Sequence, residues 1–458
     1  MLGMTLLNFI KKHILYLGIV FVFVAISLYI APFHEFWADE IQAYLISRDA
    51  NWLEIFINTP QREGQPVLWH ILLKCCIYLF GENINISYIS IAIMTMTVIV
   101  IVFKYNIPLI YKILIPFGYY FIYQYNIVSR NYCLAYLALS LVGMLYNDRH
   151  KKIWRYTLSL AFLAETTSFY IPVSATLAIY YLLEIYLYQK TQYKNYICPL
   201  LFLIMVGITI LWQILPLNYT SYNLRYLYPP VPFILQAFFT GENIYLNWIF
   251  YTLGSIFLLY FLLNKSKIET YTYHFVLCNL LFFLCMYITL PTIHHQGILY
   301  GFFLFSYYLF FPIKKAQNHL FFISILILQV YWSFCSIKYD IKNTIVPYKK
   351  VVHILNNKFK DTNIKIIGYE TLPVQALLPQ YNTRKTSYYI WNDNELNQEK
   401  DILSSANIIV IDSVSKKRYD ADRILDTDKY RVTHFRGALP NKDGLGFGQN
   451  YYLYEKIK

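Results

Sequence analysis

Apolar runs long enough to span a bilayer recur along this chain, and they leave little choice of architecture. They fall near residues 14 to 31, 86 to 103, 107 to 126, 130 to 146, 153 to 169, 171 to 188, 196 to 215, 244 to 263, 271 to 291, 297 to 313 and 319 to 336, eleven in all. Of the 458 residues 57% are hydrophobic, and the charges sit in short clusters between the runs. The pattern is that of a mainly α-helical polytopic membrane protein. The first run follows Lys11-Lys12, and Ile30-Ala31-Pro32-Phe33 is a poor cleavage site, so it reads as an uncleaved first helix. A further stretch, Gln65 to Phe80, is shorter and carries His70 and Lys74, which suits an interfacial or half-inserted helix.

Charge decides whether that stretch crosses. If it does not, one set of connections holds Lys11, Lys12, Lys104, Lys112, Arg149, Lys151, Lys152, Arg155, Lys190, Lys194, Lys265, Lys267, Lys314 and Lys315. The other holds Arg48, Arg62, Lys74, Arg130 and Arg225. Fourteen against five fits the positive-inside rule, and a crossing at 65 to 80 would destroy the asymmetry. The expected amino terminus is therefore cytoplasmic, in a bacterial inner or plasma membrane, with the segment 32 to 85 and the loop 216 to 243 outside. The net charge of +13 mostly reports this orientation rather than an anionic partner, and no nucleic acid is implied.

After Ser336 the chain becomes polar for about 120 residues, with strand-like runs at Ile364 to Tyr369 and Ala406 to Asp412 and helix-like stretches near 371 to 380 and 394 to 405. This segment, 337 to 458, reads as a small α/β domain on the outer side, following a membrane module over 1 to 336. The Gly444-Leu445-Gly446-Phe447-Gly448 stretch lacks the strand-then-helix setting of a phosphate loop and reads as a mobile loop. Seven cysteines with no paired spacing indicate neither a disulfide framework nor a zinc site, and read as small core residues. The 47 tyrosines are open to two readings, sugar-stacking platforms or a compositional bias.

Chemistry concentrates just past the first run, in His34-Glu35-Phe36-Trp37-Ala38-Asp39-Glu40-Ile41-Gln42-Ala43-Tyr44. Carboxylates so close to hydrocarbon are costly and usually functional. Asp39 and Glu40 open a helix whose Ile41, Tyr44 and Leu45 share one face, enough for that face to lie on the membrane. A charged carboxylate at a helix start is favoured by unpaired N–H groups and the dipole. Asp39 is then either a cap or a base that accepts a proton from a hydroxyl nucleophile. Arg130, within Val128-Ser129-Arg130-Asn131-Tyr132, is either an interfacial anchor or a planar cation for phosphate, and Arg225 is a second candidate. His294-His295, after Pro291, offers one imidazole for phosphate, or for a metal site completed by Glu63 or Asp39. Glu165, beside Thr166 and Thr167, is an intramembrane acid, either a site residue or a hydrogen-bonded structural one.

A span, an external loop opening Trp37-Ala38-Asp39-Glu40, an external helix introduced by Glu63-Gly64-Gln65-Pro66 and then further spans resemble the GT-C superfamily of membrane glycosyltransferases. The nearest branch looks like the protein O-mannosyltransferases and lipid A aminoarabinose transferases. The resemblance covers most of the chain in topology and is most specific over residues 35 to 80. It implies a polyprenyl-phosphate sugar as donor, a glycan, lipid or protein acceptor hydroxyl, membrane lipid around the site, Asp39 as catalytic base and Glu40 in support. Glu63 and Pro66 match the acid-rich lead-in of the aminoarabinose transferases. Their lysine is absent, with Gly64-Gln65 between, so its phosphate contact does not carry over. Relatives that transfer oligosaccharides have a second acidic motif near where Arg130 falls; none follows Arg130 closely, which weakens the case for a divalent metal.

Two other functions fit the same surroundings. An O-antigen polymerase or ligase needs arginines in a large late outer loop, where only Arg225 stands. A transporter or flippase of lipid-linked sugars needs broken helices in corresponding halves and polar groups at the midplane, and no internal repeat is visible.

Overall fold

A computed structural model of the protein describes residues 2–188, 194–214, 293–310, 317–343, 347–359, 364–367, 406–418, 427–437 and 450–457, with single positions 279, 362, 374, 377 and 425. Apart from those positions, the runs at 244 to 263 and 271 to 291, the loop 216 to 243 with Arg225, the stretches 371 to 380 and 394 to 405, and Gly444 to Gly448 lie outside the described residues. The chain forms two compact units. One comprises Met1–Tyr29, Trp52–Leu72 and Asn85–Ser336; the other comprises Ile30–Asn51, Leu73–Ile84 and Ile337–Lys458. The segment 32 to 85 is thus shared between the two units instead of belonging wholly to the module over 1 to 336.

The larger unit is helical. Helix α1 (Leu2–Ile30) and the later α5 (Ile86–Lys104) enclose candidate spans at His13–Ile30 and Ile86–Lys104. Three more lie at Ser168–Tyr186, Lys194–Ile214 and Phe322–Lys342, making five helices among the described residues that are long and apolar enough to cross a membrane. Their outward faces carry Phe21, Ile204 and Met205, at 72%, 59% and 64% exposure, apolar surface of the kind a lipid surrounding accommodates. Helix α5 starts where the Asn85 side chain accepts from Ser87 N–H at 2.9 Å, and stops before Pro108.

Three of the expected runs are shorter or broken. Within 107 to 126, α6 (Leu109–Phe117) contains Pro116 and ends at Gly118, and a π-helical turn, Tyr120–Gln124, follows. Helix α7 (Tyr132–Tyr146) has 15 residues. Helix α8 (Ile153–Ala164) has 12, about 18 Å, and gives way at Glu165 to a 3-10 turn, Ser168–Tyr170, leading into α9 (Ile171–Tyr188). Helix α10 is Lys194–Ile214, α11 is Ile293–Phe310 and α12 is Gln317–Lys342. Helix α7 packs on α5, α8 and α11. The interior there is built of tyrosines whose hydroxyls meet backbone carbonyls: Tyr136 donates to Gly297 at 2.6 Å, Tyr170 to Ile298 at 2.8 Å and Tyr105 to Ser140 at 2.9 Å. Such pairing lets a phenol enter an apolar core. Of the described cysteines Cys133 is buried, whereas Cys198 and Cys335 are exposed on apolar helices, so the core reading fails for those two.

In the smaller unit, α13 (Tyr348–Lys358) and strands β1 (Ile364–Ile367), β2 (Ile408–Asp412), β3 (Tyr430–Phe435) and β4 (Tyr451–Lys456) build a sheet of order β1-β2-β4-β3. The β1–β2 pair is parallel; β2–β4 and β3–β4 are antiparallel. Strand β2 is buried along its whole length, as its unbroken apolar run requires of a central strand. Tyr348, Val351 and Leu355 of α13 cover the sheet over Ile366, Ile408, Val410 and Leu453. Helix α2 (Ala38–Asp49) and the second half of α4 (Leu68–Phe80) belong to this unit as well. At 13 residues, about 20 Å, α4 is short for a membrane span.

Candidate functional site

The acidic pair opens helix α2 where the sequence places it. Trp37 precedes the helix in extended conformation, and its N–H donates to Glu40 Oε2 at 2.8 Å, so the third helical residue reaches back over the start. The same oxygen accepts from His34 Nε2 at 3.0 Å, and His34 Nδ1 donates to Asp340 Oδ2 at 3.3 Å. All three side chains are shut away from solvent. Burial works against a charged imidazole here, but the Glu40 carboxylate and the hydrogen bonds from both acids outweigh it, and the His34 pKa rises from 6.5 to about 10. At neutral pH His34 is therefore an imidazolium held between two carboxylates.

The chain around this lock is pinned from the far end of the sequence. Lys349 Nζ donates to Pro32 O at 3.0 Å and His34 O at 3.1 Å, and Tyr348 Oη accepts from Phe36 N–H at 3.0 Å. At the other end of α2, Lys74 Nζ donates to Ser47 O at 3.2 Å and Ala50 O at 2.6 Å, a cation on the last carbonyls of the helix. Ile41, Tyr44 and Leu45 are buried in protein and do not lie on the membrane. The Tyr44 hydroxyl donates to Glu82 O. Glu40 is engaged by the Trp37 N–H and the His34 imidazole, so its carboxylate fixes the start of the helix. Asp39, the second residue of the helix, is half-buried.

A second polar cluster forms within the larger unit. Helix α3 (Trp52–Glu63) ends at Gly64, whose φ of +60° turns the chain sharply. The turn sets Gln65 against the α8–α9 connection. Gln65 Oε1 accepts from Thr167 Oγ1 and Ser168 N–H, both at 3.0 Å, and from Asn131 Nδ2 at 3.4 Å; its Nε2 donates to Ser168 Oγ at 2.8 Å. Asn131 also donates to Thr166 O at 3.0 Å. Glu165 is hydrogen-bonded by the Gln213 side chain, whose Oε1 accepts from Val67 N–H at 3.2 Å.

Arg130 is half-buried beside this network, its guanidinium carbon 5.2 Å from the Tyr132 ring centre. Tyr132 in turn meets His295 edge-on at 6.1 Å, and His295 lies 4.7 Å from the Phe169 ring. Of the expected site residues, then, Gln65, Glu165, Arg130 and His295 are joined through Asn131, Tyr132, Thr166 to Phe169 and Gln213. The sequence names Asn131, Tyr132, Thr166 and Thr167 only as neighbours of Arg130 and Glu165, and Ser168, Phe169 and Gln213 carry no signal there. Glu63 closes α3, half-buried. The His294 side chain and Arg225 lie outside the described residues. Among the described residues no group of three or more His, Cys, Asp or Glu side chains is arranged to hold a metal ion, and the Glu63–His294 pairing falls outside what is described.

Fold and sites together define a helical membrane protein with a small α/β unit and two built polar clusters. The sequence matches no protein-family model, and no curated protein matches it.

Proposed function

We propose that this chain is a GT-C type integral membrane glycosyltransferase that moves one sugar from a polyprenyl-phosphate carrier to an acceptor hydroxyl. In this reading eleven helices cross the membrane, the amino terminus is cytoplasmic, and the carboxy-terminal α/β domain stands on the outer side of a bacterial plasma membrane. The acceptor hydroxyl attacks the anomeric carbon, its proton passes to Asp39, and polyprenyl phosphate leaves as an anion that needs cations, not an acid. Arg130 is the cation assigned to that phosphate, with His295 behind it across Tyr132.

The observation that carries the reading is the fixed start of helix α2. A buried imidazolium, two buried carboxylates and a lysine hold the backbone that presents Asp39, far more structure than a simple surface cap needs. The test is a transfer assay on the purified chain with a panel of polyprenyl-phosphate sugars. Asp39→Asn should lower the rate on the accepted donor by about 10²-fold or more while melting like the wild type. Full activity in Asp39→Asn refutes the assignment of the base. Movement of intact donor across a vesicle with no transfer makes the protein a flippase.

A further inference from the structure

A second site lies at the opposite end of α5 from the Asn85 cap. His13 begins the candidate span in α1 and Lys104 ends the one in α5, and the two line the same hollow. This hollow of about 280 Å³ is lined by His13, Tyr16, Lys104, Tyr105, Asn106 and Lys112, among others. No lining residue is acidic. Lys104 is exposed, but Lys112 is not a snorkelling lysine: it is 4% exposed. Its Nζ donates to Val102 O at 2.6 Å and Tyr16 Oη at 3.2 Å and stands 4.4 Å from the Tyr16 ring centre. A carbonyl, a phenol and a ring face satisfy hydrogen bonds yet leave the ammonium charge without a counter-ion, and its third N–H has no protein partner among the described residues. Burying such a charge is costly unless an anion joins it.

We propose that this hollow binds a phosphate group, with Lys104 and Lys112 as its cations and Tyr16 and Asn106 as neighbouring hydrogen-bonding groups. Its depth at the end of two spans is the depth of lipid headgroups, so the phosphodiester of an anionic lipid and a free phosphate are its two sources. The site is independent of the transferase reading. It places a phosphate ligand at the end of α5 away from Arg130.

The test uses the full-length protein, stripped of lipid in detergent, with binding of short-chain phosphatidylglycerol counted by native mass spectrometry. Wild type should retain it in preference to the matching diacylglycerol. Lys104→Gln should weaken retention about fivefold, the effect of one lysine near a lipid phosphate. Lys112→Gln should weaken it at least as much; because Lys112 is buried and that variant can misfold, the exposed Lys104 decides the matter. Displacement by inorganic phosphate at similar concentration identifies the free anion as the ligand, and resistance to it identifies the lipid headgroup; either outcome upholds the site. Equal retention by wild type and Lys104→Gln, or equal retention of phosphatidylglycerol and diacylglycerol, overturns it.

Discussion

Replacing His34 by Gln removes the positive charge from between two buried carboxylates while keeping a polar side chain of similar reach. A rise in imidazole pKa from 6.5 to about 10 corresponds to about 5 kcal/mol of preferential stabilisation of the charged form. Removing one partner of a buried ion pair costs about 3–5 kcal/mol by itself, so the two routes agree. The native state binds the His34 proton more tightly than the unfolded chain does. Its contribution is therefore complete below pH 6.5 and is lost as pH rises through about 10. Melting of the detergent-solubilised protein followed from pH 6 to 10.5 should show the wild type losing stability steeply toward the alkaline end. His34→Gln should start much lower and follow a shallower curve. Asp340→Asn in the His34→Gln background should cost far less than in the wild type, because the two residues share one interaction. Parallel pH curves for wild type and His34→Gln, or additive losses in the double variant, would refute the buried imidazolium.

Gln65→Ala strips partners from Thr167 Oγ1 and from the N–H and hydroxyl of Ser168, which predicts a loss of about 2–4 kcal/mol in melting and faster hydrogen exchange at the Ser168 amide. Unchanged exchange at that amide would remove Gln65 from the network. Gly297→Ala drives a methyl into the Tyr125 hydroxyl and the Tyr120 ring, with an expected cost of about 1–3 kcal/mol. Tyr125→Phe in the same chain should recover part of it in the same melt, and no recovery would mean the helix moves away instead.

The helical membrane character was legible because bilayer-facing surface has to be apolar over the whole length of a span, as Phe21, Ile204 and Met205 illustrate. Pro116 and Gly118 were equally visible in the sequence, yet hydropathy averages over a run and hid the break they make before Tyr120. The helix start at Asp39 was readable from local chemistry, whereas the Glu40–His34–Asp340 lock was not: a pairing across 306 positions leaves no local pattern. The burial of Ile41, Tyr44 and Leu45 was missed for the same reason, since an amphipathic face does not say whether lipid or protein will cover it. Gln65 was a candidate from its place in the Glu63 to Pro66 lead-in, but that its amide serves both sides of the 166–168 turn at once could not be read from the sequence. Strand β3 escaped notice because Arg431 and His434 interrupt its apolar residues on an exposed edge, and β4, paired on both sides, because it is short and ends in Glu455 and Lys456.

The contacts of Asp340 and Lys349 with residues 32 to 34 also set a timetable for biogenesis. A ribosome adding about 5–20 residues per second makes the 306 positions from His34 to Asp340 in about 15–60 s, and throughout that interval the nascent first helix is already made while its acidic follower lacks its late partners. A chain that ended between Asp49 and Asp340 would therefore carry helices α1 and α2 but none of the late contacts that hold residues 32 to 40.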